Sequence, residues 1–413
     1  MKSVRACPDC GQLNKLPQAK AGAIVACCRC GRTLRRVHHN SLEKGLCFAL
    51  AGFAFYMLLA LSPLLDVSLY GRYRSNTLDT GPSVFSNQQL WFLGALVVVT
   101  TIAMPFIKLV LTLAVTIGLR LRQPPHILAD CFRWAREVTK WSMLEVYLLG
   151  FLVAYTRLHA LVIIHIDVAV YALIGTILAC TAMDAALDSE AVWDEMERKG
   201  IITQADVEPG QPLLGCEVCH AVSRPKPHAH CHRCGAKLHA RKPNSLSRTW
   251  ALAIGAIIFY VPANYFPVMV ITRLGQTTDH TIVDGMLEFV QAGLWPLALL
   301  VFIASIAIPM IKLLALGFML VETHRKSATG LLLRTRLYRL VEFIGRWSMV
   351  DVFMLSVLIG LIRFGQMIEI RPGLGAPCFA AVVVLTMLAV DSLDARLMWD
   401  AANKNKSVKV AMA

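Results

Sequence analysis

Trp141-Ser-Met-Leu-Glu145-Val is followed about 205 residues later by Trp347-Ser-Met-Val-Asp351-Val. Outward from this pair, Pro105-Phe-Ile-Lys108-Leu recurs as Pro309-Met-Ile-Lys312-Leu, and Asp188 with Trp193-Asp194 recurs as Asp394 with Trp399-Asp400. Upstream of each copy lies a cysteine cluster. Cys7-Pro-Asp-Cys10 with Cys27-Cys28-Arg29-Cys30 is matched by Cys216-Glu-Val-Cys219 with Cys231-His-Arg-Cys234. Four landmarks in one order at one offset identify a tandem duplication. The repeated unit is a four-cysteine ribbon followed by a block of apolar segments.

Composition places those segments in a membrane. Hydrophobic residues are 56% of 413 and charged residues only 16%, with a mean hydropathy of +0.56, too apolar for an ordinary soluble chain. Eight stretches approach the roughly 20 residues that cross a bilayer. They run approximately over 46–65, 90–119, 138–160, 166–187, 249–271, 293–321, 341–363 and 376–395. The second and sixth are long enough to tilt or to project beyond the bilayer. The expected fold is therefore an α-helical integral membrane protein built twice from a zinc ribbon and a four-helix transmembrane bundle. Its expected units are 1–45, 46–187, 188–248, 249–398 and a tail, 399–413.

The net charge of +14 is a topology signal rather than a nucleic-acid signature. Segments 1–45, 120–137, 188–248, 322–346 and 396–413 hold 32 of the 41 lysines and arginines, whereas 66–89, 157–167, 271–292 and 363–375 hold 6. By the positive-inside rule both termini and both ribbons are expected in the cytoplasm. Arg334, Arg336 and Arg339 read as a basic stripe at the lipid headgroups. The polar, cysteine-bearing start carries no expectation of a secretory signal.

Paired Cys-x-x-Cys knuckles, separated by 16 residues in the first cluster and 11 in the second, supply four thiolates each. That donor set suits tetrahedral zinc at Cys7, Cys10, Cys27 and Cys30, and at Cys216, Cys219, Cys231 and Cys234. Redox dithiols or rubredoxin-like iron are the competing readings. A reducing compartment argues against disulfides. His220, His228, His230, His232 and His239 crowd the second ribbon and read as solvated or supporting groups. Cys28 is a spare thiol, and Cys47, Cys131, Cys180 and Cys378 read as small buried hydrophobes. Asp194-Glu-Met-Glu-Arg-Lys199 reads as a solvated amphipathic elbow.

Ionisable residues at bilayer depth face a bundle interior or a wet cavity by default. In the second copy Ser305 lies seven residues before Lys312, Ser348 three before Asp351, and Thr386 in the eighth segment. Pro309 has no amide for the Ser305 carbonyl, which predicts a kink there. Asn264 sits between Pro262 and Pro267. The first copy offers Thr101, Lys108, Ser142, Glu145 and Asp184 but no such asparagine. Lys312 and Asp351 are either a structural ion pair or the lining of a path for substrate or protons, and the second bundle is expected to hold the more polar site. With no P-loop, Ser/His/Asp arrangement or G-x-G-x-x-G, an ATPase or hydrolase is not expected.

The two ribbons, Pro262-Ala-Asn-Tyr-Phe-Pro267, the two Pro-x-Ile-Lys-Leu runs, the Trp-Ser-Met-x-[Glu/Asp]-Val pair and the Asp394–Asp400 ending resemble the paraquat-inducible protein A family over nearly the whole chain. The first copy departs from the pattern at the asparagine and at Asp188-Ser-Glu190, which lacks the arginine. The resemblance implies an inner-membrane protein whose bundles are distantly similar to tetraspanins. It implies a partner MCE-domain protein that forms a periplasmic lipid tunnel, with phospholipids as cargo and two zinc ions. It also implies polar cavity residues at Ser305, Lys312, Ser348, Asp351 and Thr386. A zinc- or redox-responsive membrane regulator and a passive anchor for the tunnel are the alternatives.

Overall fold

The computed structural model describes residues 4–17, 20–69, 72–87, 90–159, 163–202, 214–223, 230–273, 276–361 and 368–400. His228 and residues 401–413 of the expected tail lie outside these. The first ribbon is two antiparallel hairpins, β1 (Val4–Ala6) with β2 (Leu13–Lys15) and β3 (Ile24–Ala26) with β4 (Thr33–Arg36). Each hairpin turns through a Cys-x-x-Cys pair. Gly11 and Gly31 close those turns at φ +70°, a conformation that a residue lacking Cβ adopts without strain.

In the first bundle, α1 (Ser41–Leu61) leads to the hairpin β5 (Leu65–Leu69) and β6 (Arg72–Asn76), then to a short helix, α2 (Thr80–Asn87). The second span is α3 (Trp91–Val98), a π turn over Val99–Ala103, and α4 (Met104–Gly118). The bundle closes with α5 (Leu128–Thr139), α6 (Leu144–His159), β7 (Ile163–Ile166), α7 (Val168–Ala186) and an elbow helix, α8 (Ser189–Arg198). The second ribbon has the hairpin β8 (Leu214–Gly215) and β9 (Val222–Ser223), plus a bridge between His230 and Lys237.

The second bundle repeats the first in order: α9 (Ser245–Tyr265), β10 (Met269–Arg273), β11 (Gln276–His280) and α10 (Ile282–Gln291). Then come α11 (Trp295–Phe302), a π turn over Ile303–Ala307, and α12 (Ile308–His324). α13 (Leu331–Gly345) joins α14 (Val350–Leu361) through a 3-10 turn, and β12 (Ile368–Pro372) precedes α15 (Gly375–Ser392). Segments read from sequence as loops therefore hold two three-stranded antiparallel sheets, ordered β6-β5-β7 and β11-β10-β12, at the ends opposite the ribbons.

Seven helical runs among the described residues are long and apolar enough to cross a membrane, including 28 residues over Trp91–Gly118 and 30 over Trp295–His324. The chain is a multi-pass membrane protein. The third expected segment, 138–160, is interrupted. α5 ends at Thr139 and α6 is 16 residues. At 1.5 Å per residue α6 covers about 24 Å, short of the roughly 30 Å hydrocarbon core. Trp91 and Trp295, equivalent in the duplication and both about 70% exposed, open the two long spans as interfacial anchors do.

The bundles meet where α6 crosses α14. A Cβ on Gly150 would come within 2.9 Å of the Val350 carbonyl, and Tyr147 stacks edge-on against Phe353 at 5.8 Å. α2 also packs on α14, since a Cβ on Gly81 would collide with the Ser356 carbonyl. In the run through α13 and α14 the most apolar 18-residue window is 78% buried, against 22% for that of α9, and α14 is the hub of the molecule.

The ribbons are exchanged between the copies. The first packs its cysteines against Leu316, Met319, Val341 and Trp399 of the second bundle. The second packs its cysteines against Val115, Phe132, Trp193 and Met196 of the first. Equivalent residues make both docks. Arg339 donates to the Cys30 carbonyl at 3.1 Å and Arg133 to the Cys234 carbonyl at 2.9 Å. Arg29 lies 4.4 Å over Trp399, and Arg233 lies 5.3 Å over Trp193. The ribbons also touch each other, through an Arg5–Ala221 bridge.

Candidate functional site

The two cysteine tetrads lie in buried turns, and the four sulfurs of each fall within 4.8 Å of one another. Sγ···Sγ separations of 3.5 Å (Cys7–Cys30) and 3.6 Å (Cys10–Cys27) recur as 3.5 Å (Cys219–Cys231) and 3.6 Å (Cys216–Cys234). All are far longer than the roughly 2.0 Å of a disulfide. They match the separation of about 3.8 Å that follows from four sulfurs held tetrahedrally at about 2.3 Å from a zinc-sized ion. Donors aim at the sulfurs: Arg339 Nη2 reaches Cys30 at 3.2 Å, Asn14 Nδ2 reaches Cys27 at 3.5 Å, and the Arg233 amide reaches Cys231 at 3.5 Å. Such donors stabilise thiolate charge, so both tetrads fit a metal ion.

Cys28 stands outside its tetrad, exposed, with its thiol on Asn14 Oδ1 at 3.3 Å. His232 Nδ1 pairs with Ser223 Oγ at 2.9 Å. Of the four cysteines read as buried hydrophobes only Cys180 is buried, while Cys47 is exposed on the apolar outer face of α1.

The elbow is amphipathic, with Asp194 and Arg198 exposed. α8 buries Val192, Trp193 and Met196, and Glu190 receives Arg5 at 2.8 Å and Arg233 at 3.0 Å. Burial pushes the Glu190 carboxyl up, but the Arg233 and Arg5 guanidiniums outweigh it and hold it below its ordinary value. At the position equivalent to Glu190 the second copy has Arg396, which pairs with Asp394 at 2.8 Å and with Glu217. The sequence departure at Asp188-Ser-Glu190 is thus a charge reversal in which each residue meets partners of opposite sign. The expected headgroup stripe is likewise corrected. Arg334 is 1% exposed and donates to the Ser327 carbonyl at 2.7 Å, Arg339 binds Asp9 at 2.6 Å, and Arg336 alone of the three is exposed.

Among the intramembrane polar residues the two copies diverge. In the first, Lys108 Nζ is 2.6 Å from Asp184. The residue equivalent to Asp184 in the second copy is Val390. There Lys312, 1% exposed, has Ser348 Oγ at 3.3 Å and the Gly345 carbonyl at 3.5 Å as its partners among the described residues. Asp351 is buried one turn beyond Ser348, whereas its counterpart Glu145 is exposed and accepts from Thr181 at 3.3 Å. Ser142 is half-buried.

The kink expected at Pro309 is a π turn, which absorbs the missing amide by shifting Ile308 N–H to the Ile303 carbonyl. Its extra residue changes the helical phase, so the seven-residue spacing alone does not align Ser305 with Lys312. The first π turn is internally closed: Tyr56 Oη donates to the Ile102 carbonyl at 2.8 Å and Thr101 Oγ1 to the Val97 carbonyl at 2.7 Å. In the second, Ser305 Oγ is buried with no hydrogen-bond partner among the described residues. Tyr260, equivalent to Tyr56, makes no matching bond among the described residues. Thr386 Oγ1 turns back to the Val383 carbonyl at 2.9 Å, and Asn264 Nδ2 to the Tyr260 carbonyl at 2.8 Å. Ser305, Lys312, Ser348, Asp351 and Thr386 are all buried, while Asn264 is half-buried at the end of α9.

The family profile for paraquat-inducible protein A matches twice, over residues 42–197 and 246–403. The chain belongs to the paraquat-inducible protein A family. The two matches fall on the two bundles with their elbows, and most of each ribbon lies outside them. The chain is 31% identical to the "Intermembrane transport protein PqiA" of Escherichia coli (strain K12), with 95% of each chain covered. It is also 31% identical to the "Lipophilic envelope-spanning tunnel protein A" of the same strain, over 96% of this chain and 91% of that one. No solved structure matches significantly.

One repeated pair carried a signal that the sequence reading passed over. Asn40-Ser41 and Asn244-Ser245 each place asparagine at φ 52° before the first helix of a bundle. Ser41 Oγ then donates to the Ala186 carbonyl at 2.9 Å and accepts from the Asp188 amide at 2.6 Å. Ser245 does the same with Ser392 and Asp394, at 2.8 Å each. The serines tie the first helix of each bundle to its last.

Proposed function

We propose that this protein is an inner-membrane lipid transporter subunit that loads or unloads phospholipid for a periplasmic MCE-domain tunnel protein. Both termini and both ribbons then lie in the cytoplasm. The ribbons hold one zinc ion each, and the working site is the polar cluster of Ser305, Lys312, Ser348, Asp351, Thr386 and Asn264 in the second bundle. Thr101, Lys108, Ser142 and Glu145 are its structural counterparts.

The observation that carries this reading is the asymmetry of the two lysines. Lys108 has a carboxylate at 2.6 Å, whereas Lys312 has neutral hydroxyl and carbonyl oxygens beyond 3.2 Å. A buried ammonium with neutral partners is costly and is retained where it has work to do. The names of the relatives, an intermembrane transport protein and an envelope-spanning tunnel protein, support the same direction.

The test is purification of tagged full-length protein from its own membrane with mass spectrometry of what accompanies it. An MCE-domain protein is expected in stoichiometric amount, and its absence from every preparation overturns the assignment. The regulator reading draws on one observation, the exchange of ribbons, which makes each bundle sensitive to the metal of the other copy. It predicts function that follows cysteine oxidation and ignores changes at Lys312.

A further inference from the structure

A cavity of about 420 Å³ opens on the ribbon side, where the two copies face each other. Its wall is largely apolar, formed by Trp141, Tyr338, Phe343, Met387 and Val390. Four cations, Arg32, Lys140, Arg339 and Arg346, line it against two carboxylates, Glu342 and Asp391. Lys140 and Arg346 are equivalent in the duplication, each immediately before a Trp-Ser-Met, so one cavity draws a matched cation from each copy. Arg32 and Arg339 are committed to Asp9, at 3.5 and 2.6 Å, and Lys140 lies near Glu137 and Asp391 at 3.0 and 3.5 Å. Arg346 has no ion-pair partner among the described residues.

We infer that this cavity is a binding site for an anionic phospholipid, the phosphate between Lys140 and Arg346 and an acyl chain along Met387 and Val390. Volume and lining fit an amphiphile, since small-molecule sites span roughly 300–1,000 Å³ and are mostly apolar with a few placed polar groups. An unneutralised guanidinium above an apolar wall selects an anionic head with a hydrocarbon tail. The site lies at the C-terminal ends of α13 and α15, beside Arg32 of the first ribbon. Gly345, whose carbonyl receives Lys312 at 3.5 Å, belongs to its wall, so an occupant presses on the backbone behind the polar cluster. This assignment rests on the proposed lipid-handling role and adds to it a second, charge-selective site.

The experiment is native mass spectrometry of the full-length protein in detergent, titrated with phosphatidylglycerol, phosphatidylcholine or glycerol phosphate. Phosphatidylglycerol is expected to bind at least tenfold more tightly than phosphatidylcholine. A Lys140→Gln/Arg346→Gln variant should lose that preference, and Met387→Trp should block binding by filling the cavity. Zinc content and thermal midpoint establish that each variant is folded. Equal phosphatidylglycerol affinity in wild type and the double variant overturns the site, as does equal affinity for the two lipids. Glycerol phosphate competing as well as the lipid would mean a free-anion site and also overturns it. Selective binding that survives while lipid transfer by the wild type is absent would sink the transport role and leave this site standing.

Discussion

At the scale of single residues, duplication makes the protein its own control. Lys108 and Lys312 occupy equivalent positions after equivalent prolines, yet one has Asp184 at 2.6 Å and the other, among the described residues, has the Ser348 hydroxyl and the Gly345 carbonyl. Lys312→Met is expected to reduce lipid transfer at least tenfold with abundance unchanged, and Lys108→Met to reduce it less than twofold in the same assay. Sequence spacing brought out both lysines but not their difference, because the deciding residue, Asp184 against Val390, lies on a helix about 76 positions away. Glu190 offers a second test. Glu190→Gln removes the carboxylate of Arg5, leaves the buried Arg233 only the exposed Asp194 at 3.6 Å, and is expected to cost about 3 kcal/mol. Because the Glu190 value is depressed, its contribution is complete above the usual carboxylate range near pH 4.3 and fades as pH falls through the lower, folded-state value. Thermal midpoints of wild type and variant should therefore differ at pH 7 and converge as the pH falls below the usual carboxylate range.

At the scale of elements, periodicity and length made the long helices legible, and the Cys-x-x-Cys turns made the ribbons so. The sheets were not. β5, β7, β10 and β12 are short and lie in segments where arginine counts drew the eye to topology, although Val270-Ile-Thr and Ile163-Ile-His-Ile166 carry the β-branched signal. The ribbon exchange was illegible for a deeper reason, since no local pattern says which bundle a ribbon docks on. It gives a prediction of unusual sign. Arg133→Ala in the first copy should raise hydrogen exchange in the second ribbon, around Cys231–Cys234, and Arg339→Ala should do so in the first, around Cys27–Cys30. Increased exchange in the ribbon of the same copy would contradict the exchanged arrangement.

At the scale of the whole molecule, two bundles share α14 as a hub while their ribbons reach across to each other's partner. Metal removal should therefore loosen both halves together. A strong chelator is expected to lower the thermal midpoint by more than 10 °C in a single transition, followed by tryptophan emission from Trp193 and Trp399, because each stacks on a ribbon arginine of the other copy. Two separate transitions would mean that the ribbons dock independently of the bundles.

The central claim is that the polar residues buried in the second bundle move lipid. It is tested most directly by labelled phospholipid transfer from proteoliposomes, through the MCE-domain protein proposed as partner, to acceptor vesicles. Wild type, Lys108→Met and Lys312→Met would be compared at equal reconstituted amount. Transfer by wild type and Lys108→Met, with loss in Lys312→Met, is the expected result. Equal transfer by all three would contradict the account.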